Sequence, residues 1–190
     1  FEGKIEAPGA SWALRDEGFV GKSEDQTILH KLPLDAPEVS WPVGVAYDPT
    51  GKTLWGVTFG GEGYLYEFDI EEERWTARAM NNVDVGGIIF DPETGNLITT
   101  PGSFGRSGYM VMDQSAKVLS TLEVSVNDYP GLIDSFDPGN GPRPRIVPIK
   151  IEGDLLLVRA EPELRQTHRR TSSGLVYLVN LNDGKVRLVR

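Results

Sequence analysis

Glu38, Asn82 and Asn127 recur at intervals of 44 and 45 residues, and Asp128 follows the last of them. Carboxylate and amide oxygens suit a hard cation such as calcium. Equivalent positions of a repeat that meet on a common axis would bring the first three of these side chains to one ion. A metal held there would polarise a carbonyl or activate water, and Asp128 or Asp134 would serve as the base. Asn and Asp are also the ordinary residues of turns, so binding without catalysis is the competing reading. A second group could contact a ligand. Trp41 could stack on a flat or sugar-like surface, with burial in the core as its alternative. Asp84 and Tyr129 belong to the same connections as the oxygen donors, and Ser103 and Arg106 lie in the glycine-rich stretch Gly102–Gly108. His168 shares the loop Glu161–Ser173 with Arg165, Arg169 and Arg170, where an anion or a partner could bind, unless the loop is simply a solvated charge run.

Other chemistries are poorly supplied. The chain has no cysteine, which removes disulfides, thiol catalysis and zinc–thiolate sites. Its two histidines, His30 and His168, have no assignable Ser or Asp partner; His30 is expected on the surface of an outer strand. Ala46–Thr53 matches a relaxed phosphate-loop pattern. A phosphate loop must open a helix, and strand signals follow here, so a hairpin turn is expected. The formal charge of −9 and pI near 4.8 oppose binding to a phosphate backbone. No apolar run approaches the ~18 residues of a membrane span. The chain starts at Phe1 with no leader pattern before it, as expected of a processed or trimmed N-terminus, and an extracytoplasmic, secreted location is the expectation.

The elements that must hold these residues are repeated. Aromatic-Asp-Pro occurs at Tyr47, Phe90 and Phe136, spaced by 43 and 46 residues. Glycine followed by two apolar residues occurs at Gly18, Gly63 and Gly108, each 45 apart, and again at Gly174 after 66, which implies an insertion of about 21 residues in the last unit. Within the second unit, Val43–Tyr47 reads as a buried inner strand. Asp48–Gly51 is a turn in which aspartate caps, proline fixes φ and glycine takes positive φ. Thr53–Phe59, Tyr64–Ile70 and Arg74–Met80 follow as strands. Helical periodicity is absent. Four short strands per repeat select an all-β propeller, with units at about 1–37, 38–80, 81–125 and 126–190 of a single domain. Ile133–Phe136 is the expected inner strand of the last unit. The first has later strands at Ser11–Arg15, Gly18–Lys22 and Thr27–Leu34 but no clear inner strand, unless Phe1–Ala7 serves. Trp12 and Trp55 share a second-strand position and are expected to pack between blades.

The stretches Trp41–Trp55 and Asp84–Ile98 resemble the repeats of the superfamily that holds gluconolactonase/SMP-30-like, NHL-like and YVTN-like propellers. The likeness covers about residues 38–125 well and 126–190 loosely. It implies a ligand face where the outer-to-inner connections meet the loops between second and third strands. The gluconolactonase-like members hold calcium with Glu, Asn, Asn and Asp, which Glu38, Asn82, Asn127 and Asp128 would imitate.

Three functions are therefore expected to compete. The first is a propeller that binds a small-molecule ligand or a protein partner on its loop face. The second is a calcium-dependent lactonase-like hydrolase, and the third a structural blade array within a larger assembly. Propellers close with about four to eight blades. Four units leave three routes: a small closed ring, half a ring completed by a second chain, or a piece of a longer protein.

Overall fold

The computed structural model describes residues 5–7, 10–39, 42–58, 63–80, 85–102, 108–132, 144–162 and 174–189. It is an all-β arrangement of four antiparallel four-stranded sheets, the blades of a β-propeller. Blade 1 is β1 (Ile5–Ala7), β2 (Ala10–Arg15), β3 (Gly18–Lys22) and β4 (Thr27–Lys31). Blade 2 is β5 (Pro42–Asp48), β6 (Thr53–Thr58), β7 (Tyr64–Asp69) and β8 (Arg74–Ala79). Blade 3 is β9 (Val85–Asp91), β10 (Asn96–Pro101), β11 (Tyr109–Met112) and β12 (Val118–Leu122). Blade 4 is β13 (Pro144–Glu152), β14 (Leu155–Pro162), β15 (Val176–Asn180) and β16 (Val186–Leu188). In each sheet the strands lie in chain order.

The turn chemistry explains the hairpins. The Asp48 carboxylate accepts from the Thr50 N–H at 2.8 Å, and Asp91 accepts from the Glu93 N–H at 3.0 Å. Ala46–Thr53 therefore joins two strands, as its hairpin reading requires. One detail differs from expectation: positive φ falls on Lys52 (φ 51) rather than Gly51, whereas in blade 3 Gly95 takes it (φ 72). The glycine that opens each third strand has a steric cause. A Cβ on Gly18 would lie 2.1 Å from the His30 carbonyl oxygen, and one on Gly108 would lie 2.2 Å from that of Leu122.

Blade 1 is complete, because β1 pairs with β2 through Ile5 opposite Trp12. Blade 4 corrects the repeat. Its inner strand is β13, not Ile133–Phe136, which lies outside the described residues. The aromatic-Asp-Pro landmark at Phe136 therefore marks no hairpin of this blade; the turn between β13 and β14 holds Gly153, with φ 54. The insertion is split between the crossover 123–143 and the connection 163–175.

Three apolar clusters fill the spaces between consecutive blades. Trp12, Leu14 and Phe19 meet Leu54, Tyr66 and Phe68. Trp55, Val57 and Leu65 meet Ile88, Leu97 and Met110. Ile98 and Tyr109 meet Leu156, Val158 and Tyr177. Each such side chain contributes about 1.5–3 kcal/mol on burial. Trp12 and Trp55 are 4% and 1% exposed, as expected of second-strand packing residues.

His30 lies in β4 but is half-buried rather than a surface residue. Its ring stacks on Trp12 at 5.1 Å and on Phe68 at 4.2 Å between centroids, bridging blades 1 and 2. Burial lowers its pKa below the ordinary value, opposed by the charge of Glu73. A base with a lowered folded pKa binds fewer protons folded than unfolded. Stability is therefore greatest above the unfolded value of about 6.5 and falls as pH drops through it. Urea melts from pH 8 to pH 5 should show that loss, and His30→Gln should flatten it. An unchanged slope in the variant would assign the pH dependence to other groups.

Candidate functional site

The crossovers between blades carry the oxygen donors, and their positions follow from what they bury. Val39 in the first described crossover is 2% exposed within the blade 1–2 cluster. In the last, Val124, Tyr129 and Leu132 are buried between blades 3 and 4. Each of these segments is also tied by tyrosine hydroxyls. Tyr66 of β7 donates to the carbonyls of Pro37 and Glu38, both at 3.1 Å. Tyr177 of β15 donates to the Pro130 carbonyl at 3.1 Å. The Tyr109 and Tyr129 hydroxyls share a hydrogen bond of 2.5 Å, and Tyr129 meets Tyr177 edge to face. Burial pushes the Tyr66 and Tyr177 hydroxyls up to about 12, so both stay protonated donors at neutral pH. The sequence reading missed this device, although a tyrosine in the third strand of blades 2 and 4 is its visible trace.

Between Val124 and Tyr129 the chain forms a short 3-10 turn, Val126–Asp128. The Ser125 hydroxyl accepts from the Asn127 N–H at 3.2 Å, and the Asp128 carboxylate accepts from the Ser125 N–H at 2.7 Å. This reciprocal cap holds Asp128 in one orientation. Asn127 and Asp128 are exposed, so a carboxylate and an amide stand side by side on a fixed turn. Asp128 also borders a shallow open groove whose walls include Glu123, Asn180, Asp183, Lys185 and Arg187.

The structure places the expected site residues as follows. Glu38 is exposed in the crossover between blades 1 and 2, while Asn127 and Asp128 lie together in the one between blades 3 and 4. Tyr129 is 2% exposed, and its hydroxyl is engaged with Tyr109. Trp41, Asn82, Asp84, Ser103, Arg106, Asp134 and His168 lie outside the described residues. Among the described residues, no three His, Asp or Glu side chains stand together as a metal centre. At the end of β13 and β14, Arg145, only 7% exposed, lies 3.6 Å from the Glu161 carboxylate, which also accepts from Arg159 Nε at 2.7 Å. This charged cluster adjoins the connection that carries His168.

No family model matches the chain, and no curated protein matches it. Solved structures do. Hydrazine synthase of Kuenenia stuttgartiensis superposes with a TM-score of 0.56 at 13% identity, over 96% of this chain and 46% of that one. A luciferin-regenerating enzyme gives 0.54 at 15% identity, over 98% and 63%. TolB from Acinetobacter baumannii gives 0.53 at 14% identity, over 94% and 40%. At these identities the likeness supports the propeller fold alone. The chain spans less than two thirds of each of these structures.

Proposed function

We propose that the chain is a binding propeller whose crossover face receives a small-molecule ligand or a protein partner. The observation that carries this reading is the capped turn Val126–Asp128. Two exposed oxygen-bearing side chains stand on a backbone that Tyr109, Tyr129 and Tyr177 fix from below. A scaffold that holds polar groups out to solvent loses little conformational freedom when they engage a partner. The neighbouring groove combines Glu123, Arg187 and the paired Asp183 and Lys185 with the apolar Leu155, Leu178 and Val186, which suits a segment that carries both charged and apolar side chains.

The test is a titration followed by amide chemical shifts, with calcium and with short acidic and basic peptides as separate probes. Saturable shifts confined to the crossovers and the Asp183–Arg187 turn are expected with one peptide, and Asp128→Ala should abolish them. Shifts spread thinly over all four blades, or none with any probe, would overturn the binding reading. Saturable calcium shifts at both Glu38 and Asn127 would instead favour the calcium-dependent hydrolase.

A further inference from the structure

We propose that an extended segment of a protein partner adds a strand to blade 3 along the free edge of β12 and runs on into the groove beside the Val126–Asp128 turn. This rests on the binding reading above and names the kind of partner it takes. β12 is the outermost strand of its sheet, so the backbone groups it turns away from β11 have no partner among the described strands. Natural sheets guard such edges with charged side chains. Lys31 in β4, Arg74 and Arg78 in β8 and Arg187 in β16 fit that rule. β12 reads Val118-Leu119-Ser120-Thr121-Leu122 and carries no charge. All but Leu122 are exposed, Val118 to 42% and Leu119 to 50%. The register shift against β11 makes Leu119 a bulge, which is another edge guard. It leaves Ser120–Leu122 as the regular, open run.

The end of that run leads into the groove. Glu123 follows Leu122 and lines the groove with Asp128, and both are exposed. The turn between β15 and β16 closes on the same point: a Cβ on Gly184 would lie 3.4 Å from Leu122 Cδ1. Asp183 is paired with Lys185, whereas Glu123 has no ion pair among the described residues. A segment lying antiparallel to β12, as neighbouring strands lie in every blade, brings its first residue opposite Glu123. A lysine or arginine there meets Glu123 and Asp128. Alternate residues after it fall on the side of Leu122, where Leu155, Leu178 and Val186 line the groove, and there β-branched apolar side chains fit best. Backbone hydrogen bonds to a sheet edge supply affinity, and the alternating side chains supply selectivity. The occupant is therefore a short extended segment with a basic residue at its N-terminal end and an apolar residue at every second position after it.

Two capped peptides, Lys-Val-Thr-Val-Thr and Glu-Val-Thr-Val-Thr, test this by amide chemical shifts and amide exchange on the full chain. The lysine peptide is expected to slow exchange at those amides of Ser120–Leu122 that face away from β11. It should bind about tenfold more tightly than the glutamate peptide, the swing of exposed charge contacts from attraction to repulsion. Glu123→Lys, at an exposed position, should reverse that preference. Equal affinity of the two peptides for wild type would overturn the proposal. Shifts confined to Val126–Asp128 and Asp183–Arg187, without slowed exchange in β12, would overturn it and leave the binding reading standing. No shifts with any probe would overturn both. Slowed exchange in β12 that grows with protein concentration and needs no peptide would overturn it in favour of pairing between two copies.

Discussion

Gly86→Ala should cost about 3 kcal/mol, the upper end of the usual range for overpacking a close contact. A Cβ at this position in β9 would lie 2.4 Å from the Pro101 carbonyl oxygen and 2.5 Å from that of Ile146. Both obstacles are backbone, so neither can rotate aside. One belongs to the next strand of the same blade, the other to the inner strand of blade 4. The Ile146 carbonyl also accepts from the Thr100 hydroxyl at 2.5 Å. Relief of the clash would therefore part blades 3 and 4 and strand a buried hydroxyl that is 0% exposed. Domains of this kind hold about 5–15 kcal/mol in total, so a large drop in the urea midpoint is expected. A midpoint within 0.5 M of wild type, roughly 1 kcal/mol at an ordinary slope, would mean that the inner strands do not approach as closely as described.

Trp55→Ala should cost about 3–5 kcal/mol, as expected for deleting a buried aromatic side chain. Trp55 is 1% exposed in the cluster between blades 2 and 3, and the Arg78 guanidinium lies 6.0 Å from its ring centroid. Its removal leaves Val57, Leu65, Leu97 and Met110 around a void that β6 and β9 cannot close without shifting both sheets. Trp75 provides the comparison. It stacks on Phe19 at 5.1 Å but is only half-buried on an outer strand, so Trp75→Ala should lose less. Both rings lie between blades, so equal losses for the two would contradict the fuller burial of Trp55. Chemical denaturation monitored by far-UV circular dichroism measures both, independently of the altered tryptophan fluorescence.

The fold was largely legible in the sequence because each hairpin has local chemistry. Asp48 and Asp91 announce their turns, and Gly18 and Gly108 are required wherever a third strand starts against a neighbouring carbonyl. The described strands of blade 2 lie within a residue of their expected bounds. In blade 4 the repeat of aromatic-Asp-Pro at Phe136-Asp137-Pro138 points to an inner strand before residue 137, whereas the inner strand of the sheet is Pro144–Glu152. The true inner strand carries Pro148 beside a register shift, which hides its β pattern. His30 was misplaced for a related reason: alternation along β4 shows which side a residue faces but not that Phe68 of another blade covers it. The site was less legible than the fold. Asn127 stands out as a candidate by type and spacing and Asp128 by the resemblance, but the turn that carries them is held by tyrosines about 18 and 50 residues away, Tyr109 and Tyr177, and such contacts leave no local mark.

The central claim is that four blades stack in chain order, face to face, beneath the crossover site. The most direct measurement is a nuclear Overhauser spectrum of the inner strands. A Cβ on Gly44 would lie 3.0 Å from the Gly87 Cα, so β5 and β9 approach across the blade 2–3 interface at two glycines. Strong cross-peaks between the α protons of Gly44 and Gly87 are predicted, together with cross-peaks between the Thr100 side chain and Ile146. Their absence, with the pairings within each blade intact, would contradict the stacking and with it the face on which the proposed site stands.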